Sequence, residues 1–176
     1  INKTLVFIAS FLIWRVYQPY FIEHGIAPVW FALLYVVFKS TETLTLFCLD
    51  RIEKVFSPDK LASWSLVAAM ISITAMALRP TYGWLLFLAT WFALYFSSIR
   101  EPMFSHATNQ RIQSRSRATT LSNLYVIKAV MDIPILLLSG YLALHDLRYV
   151  LVLALGLCLL AALAFPLNTA QKKVHA

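Results

Sequence analysis

The chain has 176 residues, 60% of them apolar and only 13% charged. Soluble domains average roughly 45–50% apolar and about 25% charged, so too little polar surface is present to cover a water-soluble globule, and a disordered chain is excluded as well. Cys48 and Cys158 both stand in apolar runs, which leaves no disulfide framework and no zinc-ligand spacing.

A bilayer core needs roughly 20 mostly apolar residues per helix, and six such runs follow one another along the chain. The first covers about 4–22 and ends at Glu23-His24-Gly25, and the second covers about 27–48. The third, about 61–78, lies between two breaker segments, Ser57-Pro58-Asp59 and Arg79-Pro80-Thr81-Tyr82-Gly83. The fourth covers about 84–104, the fifth about 119–144 up to His145-Asp146, and the sixth about 149–167, before a polar tail at about 168–176. Barrel strands would alternate in polarity, and these runs do not. The expected class is therefore an all-α polytopic membrane protein, one six-helix domain without a cleavable leader. It opens at Ile1 and is expected to belong to a longer, twelve-helix protein.

The basic residues divide unevenly between the two sides of such a bundle. Lys3, Arg51, Lys54, Lys60, Arg111, Arg115, Arg117, Lys172 and Lys173 fall on one side, but only Arg79 and Arg148 on the other. Positive loops stay in the cytoplasm, which predicts a multi-pass protein of the cell membrane with both termini cytoplasmic. The same division accounts for the net charge of +7, 15 Lys and Arg against 8 Asp and Glu, and removes nucleic acid as a partner. Tyr20, Trp30, Tyr82, Trp84, Tyr141 and Tyr149 fall at the predicted outer boundary, where aromatic rings favour the headgroup region.

Charges inside the runs are costly and mark function or pairing. Arg15 stands near the middle of the first run, with Gln18 one turn on. Lys39 and Glu42 stand in the second, Arg100 and Glu101 near the inner end of the fourth, and Lys128 and Asp132 in the fifth. Spacings of three and four put each Lys and its acid on one helix face. The third and sixth runs carry no charge, so four helices are expected to face a polar interior and two the lipid. Arg100 and Glu101 are also placed to reach headgroups. Splitting the chain near residue 81 gives two triplets, about 1–80 and 81–170, with the same order of charge: an Arg, then a Lys and acid, then none. Triplets of odd helix number have opposite orientation, which makes them inverted repeats. Pro19 and Pro134 permit bends in the first and fifth helices. The candidate solute or ion pathway is Arg15, Gln18, Lys39, Glu42, Lys128 and Asp132. Arg15 has no acid within one turn, and Asp132 is an ionisable carboxyl suited to proton coupling.

Three segments carry a resemblance. Asp50-Arg51-Ile52-Glu53-Lys54 resembles the cytoplasmic loop motif of the major facilitator superfamily, with Glu53 where that family has Gly. Arg115-Ser116-Arg117-Ala118-Thr119-Thr120-Leu121-Ser122 is similar to the loop before the family's eleventh helix, and Tyr17-Gln18-Pro19-Tyr20 to a seventh-helix pattern. With the topology, the chain looks like the carboxyl-terminal six-helix half of such a transporter. The resemblance implies a secondary-active permease working by alternating access, with Asp50 and Arg51 as a gating loop. It also implies partnership with an amino-terminal six-helix half or a second copy. Four positive against three negative intramembrane charges favour an anionic small-molecule solute. Two alternatives stand beside transport: a non-transporting membrane scaffold or receptor-like protein, and an intramembrane enzyme. His24, His106, His145 and His175 all lie in expected loops or the tail and no Gly-x-Ser-Gly occurs, so catalysis is not expected, nor is a metal or cofactor.

Overall fold

The computed structural model describes residues 2–55, 58–78, 80–100 and 117–164, the side chains at 50, 53–55, 58–59, 117–121 and 124–125 excepted. Glu101, the loop residues 111 and 115–116, and the tail at 168–176 lie outside them. Among the described residues all regular structure is helical: α1 (Asn2–Glu23), α2 (Val29–Val55), α3 (Pro58–Ala77), α4 (Gly83–Ser98), α5 (Arg117–Ala143) and α6 (Leu147–Ala164). Five are long and apolar enough to cross a membrane; α4, with 16 described residues, is shorter. The expected ends at 104 and 167 lie outside the described residues, and the expected boundaries that fall on described residues hold to within a few residues except at the end of α2. There the stretch 50–54, expected as a loop, forms part of the last two turns of the helix. Glu53, a good helix former, stands where a Gly would have offered a break, and the next breaker in the sequence is Pro58.

Four helices close a ring. α1 packs on α6, α6 on α3, α3 on α4, and α4 back on α1. Their facing sides carry small residues three or four apart: Ala62, Ser65, Ala69 and Ser72 on α3, Ala89, Ala93 and Ser97 on α4, and Ala154, Cys158 and Ala161 on α6. Small side chains let helix backbones approach closely. Larger groups from α1, among them Ile8, Leu12, Ile13 and Tyr20, fill the centre. α2 leans on α4 from outside the ring, and α5 leans on α6 and α1.

Polar bonds tie the ring at both ends. Where α1 begins, the buried Arg100 beyond α4 donates to the carbonyl of Ala62 and, at 3.3 Å, to the hydroxyl of Ser65. It also donates to Oδ1 of Asn2 at 2.7 Å, and Asn2 Nδ2 donates to the carbonyl of Ala161 at 2.7 Å. One guanidinium and one amide thus reach all four core helices. Its 2% exposure places Arg100 in the protein interior and overturns the expectation that it reaches headgroups. At the opposite end, Tyr20 donates to the carbonyl of Met76 at 2.7 Å.

The expectation that α3 and α6 alone turn outward is also corrected. Both are half-buried in the ring, whereas the charge-bearing α2 and α5 are the least covered of the long helices. The small faces of α3, α4 and α6 gain most from close packing around α1, and the ring leaves α2 and α5, with their Lys and acid residues, on its flanks.

Candidate functional site

α1 presents one side to the ring and another away from it. The second side carries Phe7, Phe11, Trp14, Arg15 and Gln18, spaced by three or four residues, so they lie along one stripe. Phe7 and Phe11 stack at 6.3 Å between ring centroids. Trp14 meets Tyr35 and Phe38 of α2 edge to face, at 6.0 and 5.3 Å. Between this stripe and the end of α4 opens a crevice of about 100 Å³ lined by Phe7, Ser10, Phe11, Trp14, Ser97 and Ser98.

Cations from three helices rest on these rings. Lys128 Nζ of α5 lies 3.0 Å from the centroid of Phe7, Arg15 Cζ lies 4.6 Å from that of Phe11, and Lys39 Nζ of α2 lies 4.9 Å from that of Phe38. Each aromatic face is the negative pole of its quadrupole and holds a cation where water is scarce. The rings form two runs, Phe7–Phe11 and Trp14–Phe38, joined along α1.

The anticipated pathway residues divide accordingly. Lys39 and Glu42 form an ion pair at 2.7 Å, one turn apart on an open face, with side-chain exposures of 48% and 20%. Gln18 is exposed and donates to the Tyr17 hydroxyl at 3.0 Å. Asp132 is partly buried; its Oδ1 is fully buried and has no hydrogen-bond partner among the described residues. α5 and α1 both begin at the same end of the bundle, and Asp132 stands one turn beyond the Lys128 that meets Phe7, which puts it at about the depth of Phe11. Among the described residues, no hydrogen bond or ion pair joins Arg15, Lys39 and Asp132 to one another. The aromatic stripe of α1 brings Lys128 and Arg15 onto adjacent rings, whereas Lys39 rests on Phe38, its neighbour in α2. Arg51 is exposed on the last turns of α2, and the side chain of Asp50 lies outside the described residues.

Two features escaped the sequence. The cations sit on Phe7, Phe11 and Phe38, which read as ordinary apolar positions; only the i, i+4 spacing of Phe7, Phe11 and Arg15 hinted at them. The second feature is a cap. Nδ1 of His24 donates to the carbonyl of Tyr20 at 2.7 Å, and Nδ1 of His145 to that of Tyr141 at 3.1 Å. In each case a His four residues on closes its helix end and lies tilted against the Tyr ring, with centroids at 4.5 and 5.0 Å. The recurring Tyr-x-x-x-His spacing was the available signal.

Comparison of the chain with family models, with curated proteins and with solved structures returns no match.

Proposed function

We propose that this chain is a six-helix half of a secondary-active transporter, of the kind the major facilitator superfamily resemblance implies, moving a small anionic solute by alternating access. The observation that carries the reading is that Lys128 of α5 and Arg15 of α1 rest on Phe7 and Phe11 of one α1 stripe outside the core ring, beside Lys39, which rests on Phe38 of its own helix α2. Such a face is a poor surface to leave against hydrocarbon, where each charge is costly. It is a good wall for a water-filled pathway closed by a second six-helix unit, either an amino-terminal half or another copy.

Helix pairing supports the repeat. Exchanging α1 with α4, α2 with α5 and α3 with α6 turns the α1–α6 contact into α4–α3 and the α2–α4 contact into α5–α1. The α1–α4 and α3–α6 contacts map onto themselves, as a two-fold axis between inverted triplets requires, whereas the α5–α6 contact has no α2–α3 counterpart of similar extent among the described residues. The division of Lys and Arg orients the proposed protein with both termini in the cytoplasm. The buried, unpartnered oxygen of Asp132 at the depth of Phe11 is the proton-coupling candidate.

The test is uptake of labelled lactate, benzoate and phosphate by proteoliposomes holding the full-length protein, against Arg15→Ala and Lys128→Ala variants that insert normally. Loss of flux in both variants supports the reading. Uptake of one of the three that survives both substitutions, or no uptake of any, favours the scaffold reading, which the self-neutralised Lys39–Glu42 pair also suits.

A further inference from the structure

A second cavity lies at the end of the bundle remote from the Arg100 knot, and the transport reading makes no use of it. Its volume is about 650 Å³, within the range of sites for drug-sized ligands. Gly25, with φ of +70°, turns the chain out of α1, a backbone conformation Gly adopts freely. The link then passes Gly83, where a Cβ would stand 3.5 Å from the Ile26 side chain. The two interhelix links thereby form one rim, and Trp30 of α2 with Trp84 and Phe87 of α4 form the walls.

The walls are set at an angle. The rings of Trp30 and Phe87 are 6.2 Å apart and inclined at 77°, so their faces point in nearly perpendicular directions. Trp84 is steadied by stacking with Tyr82 at 6.4 Å. Neither indole is buried, at 48% exposure for Trp30 and 61% for Trp84, so the cavity is open to entry. Among the described lining residues none is Lys or Arg, and the one titratable side chain is His24. Because His24 Nδ1 donates to the Tyr20 carbonyl, the neutral ring offers only the lone pair of Nε2 to a ligand.

We propose that this cavity binds a quaternary ammonium group carrying an apolar body. Angled aromatic faces attract a cation whose charge is spread over methyl groups and cannot be satisfied by hydrogen bonds. A volume of about 650 Å³ leaves space beside the head for alkyl or aryl substituents. The chemistry is shared by free organic cations and by the choline headgroup of a phospholipid.

The experiment is calorimetric titration of the full-length protein in dodecyl maltoside, whose headgroup carries no ammonium, with phenyltrimethylammonium and with its uncharged isostere tert-butylbenzene. Saturable binding of the cation is expected, at least about tenfold tighter than the isostere. Trp30→Ala and Trp84→Ala are each expected to weaken it about tenfold, and Trp30→Phe, which keeps a ring and guards against misfolding, by about threefold or less. Competition by added dodecylphosphocholine assigns the site to a lipid headgroup and its absence to free cations; either supports the proposal. Equal binding of tert-butylbenzene, no saturable binding, or Ala variants that bind as the parent does would each overturn it. The uptake test at Arg15 can fail without touching this result, since the two sites share no residue.

Discussion

The hydroxyl of Tyr20 on α1 donates to the carbonyl of Met76 on α3, 2.7 Å away, and that carbonyl has a reason to need it. In an unbroken helix the oxygen of residue 76 would receive the N–H of residue 80, which here is Pro and has none. Tyr20 therefore repairs a backbone defect that ends α3 and pins two core helices in the same stroke.

Tyr20→Phe keeps the ring and removes the donor, leaving a buried carbonyl unmet. A loss of about 1–3 kcal/mol is expected in a denaturant-unfolding titration in detergent. The Pro80→Ala change in the Tyr20→Phe background should recover part of it by restoring the missing N–H.

Arg100 and Asn2 join helix ends that are 98 residues apart in the chain. Asn2→Ala takes one acceptor from the buried guanidinium and one donor from the Ala161 carbonyl, and should cost about 1.5–3 kcal/mol. Arg100→Ala should cost more. The double variant should fall short of the sum by about 0.5–3 kcal/mol, read from a double-mutant cycle. Additive losses would mean that the two residues act separately.

The Lys39–Glu42 pair is one turn apart on an open face. Glu42→Gln should change unfolding stability by less than about 1 kcal/mol, the usual worth of an exposed pair. Its effect on flux is expected to be larger than its effect on folding, because Lys39 then offers an uncompensated charge beside the aromatic stripe.

Asp132→Asn should separate stability from activity. Exchanging a buried, unpartnered carboxylate oxygen for a neutral amide is expected to raise stability by about 1 kcal/mol in the same unfolding assay. Proton-driven uptake should be lost while exchange of solute across the membrane persists. Unchanged uptake under a proton gradient would remove Asp132 from the proposed mechanism.

Much of the architecture was legible in the chain itself. Of the five breaks between six apolar runs, the four at Glu23-His24-Gly25, Pro58, Pro80 with Gly83 and His145-Asp146 bound helices close to those points, and the fifth lies outside the described residues. Helix length and interruption depend on apolar content, on the missing N–H of Pro and on the freedom of Gly, all properties of neighbours in sequence. The candidate site was legible only as a set of residue names. Arg15, Lys39 and Lys128 stood out because lipid penalises charge, but nothing local announced that Phe7, Phe11 and Phe38 would carry them.

Helix number, approximate ends, the uneven placement of basic residues and the presence of costly charges were thus determined by the sequence alone. Tertiary structure decided which helices closed the ring, that Arg100 turned inward to Asn2 rather than outward, and that α2 and α5 took the exposed flanks. It also set the indoles of Trp30 and Trp84 around one cavity. The reason is that a side chain's partner is set by where two helices cross, and crossings are chosen by the fit of small and large faces far apart in the chain. Composition counts those faces but does not pair them.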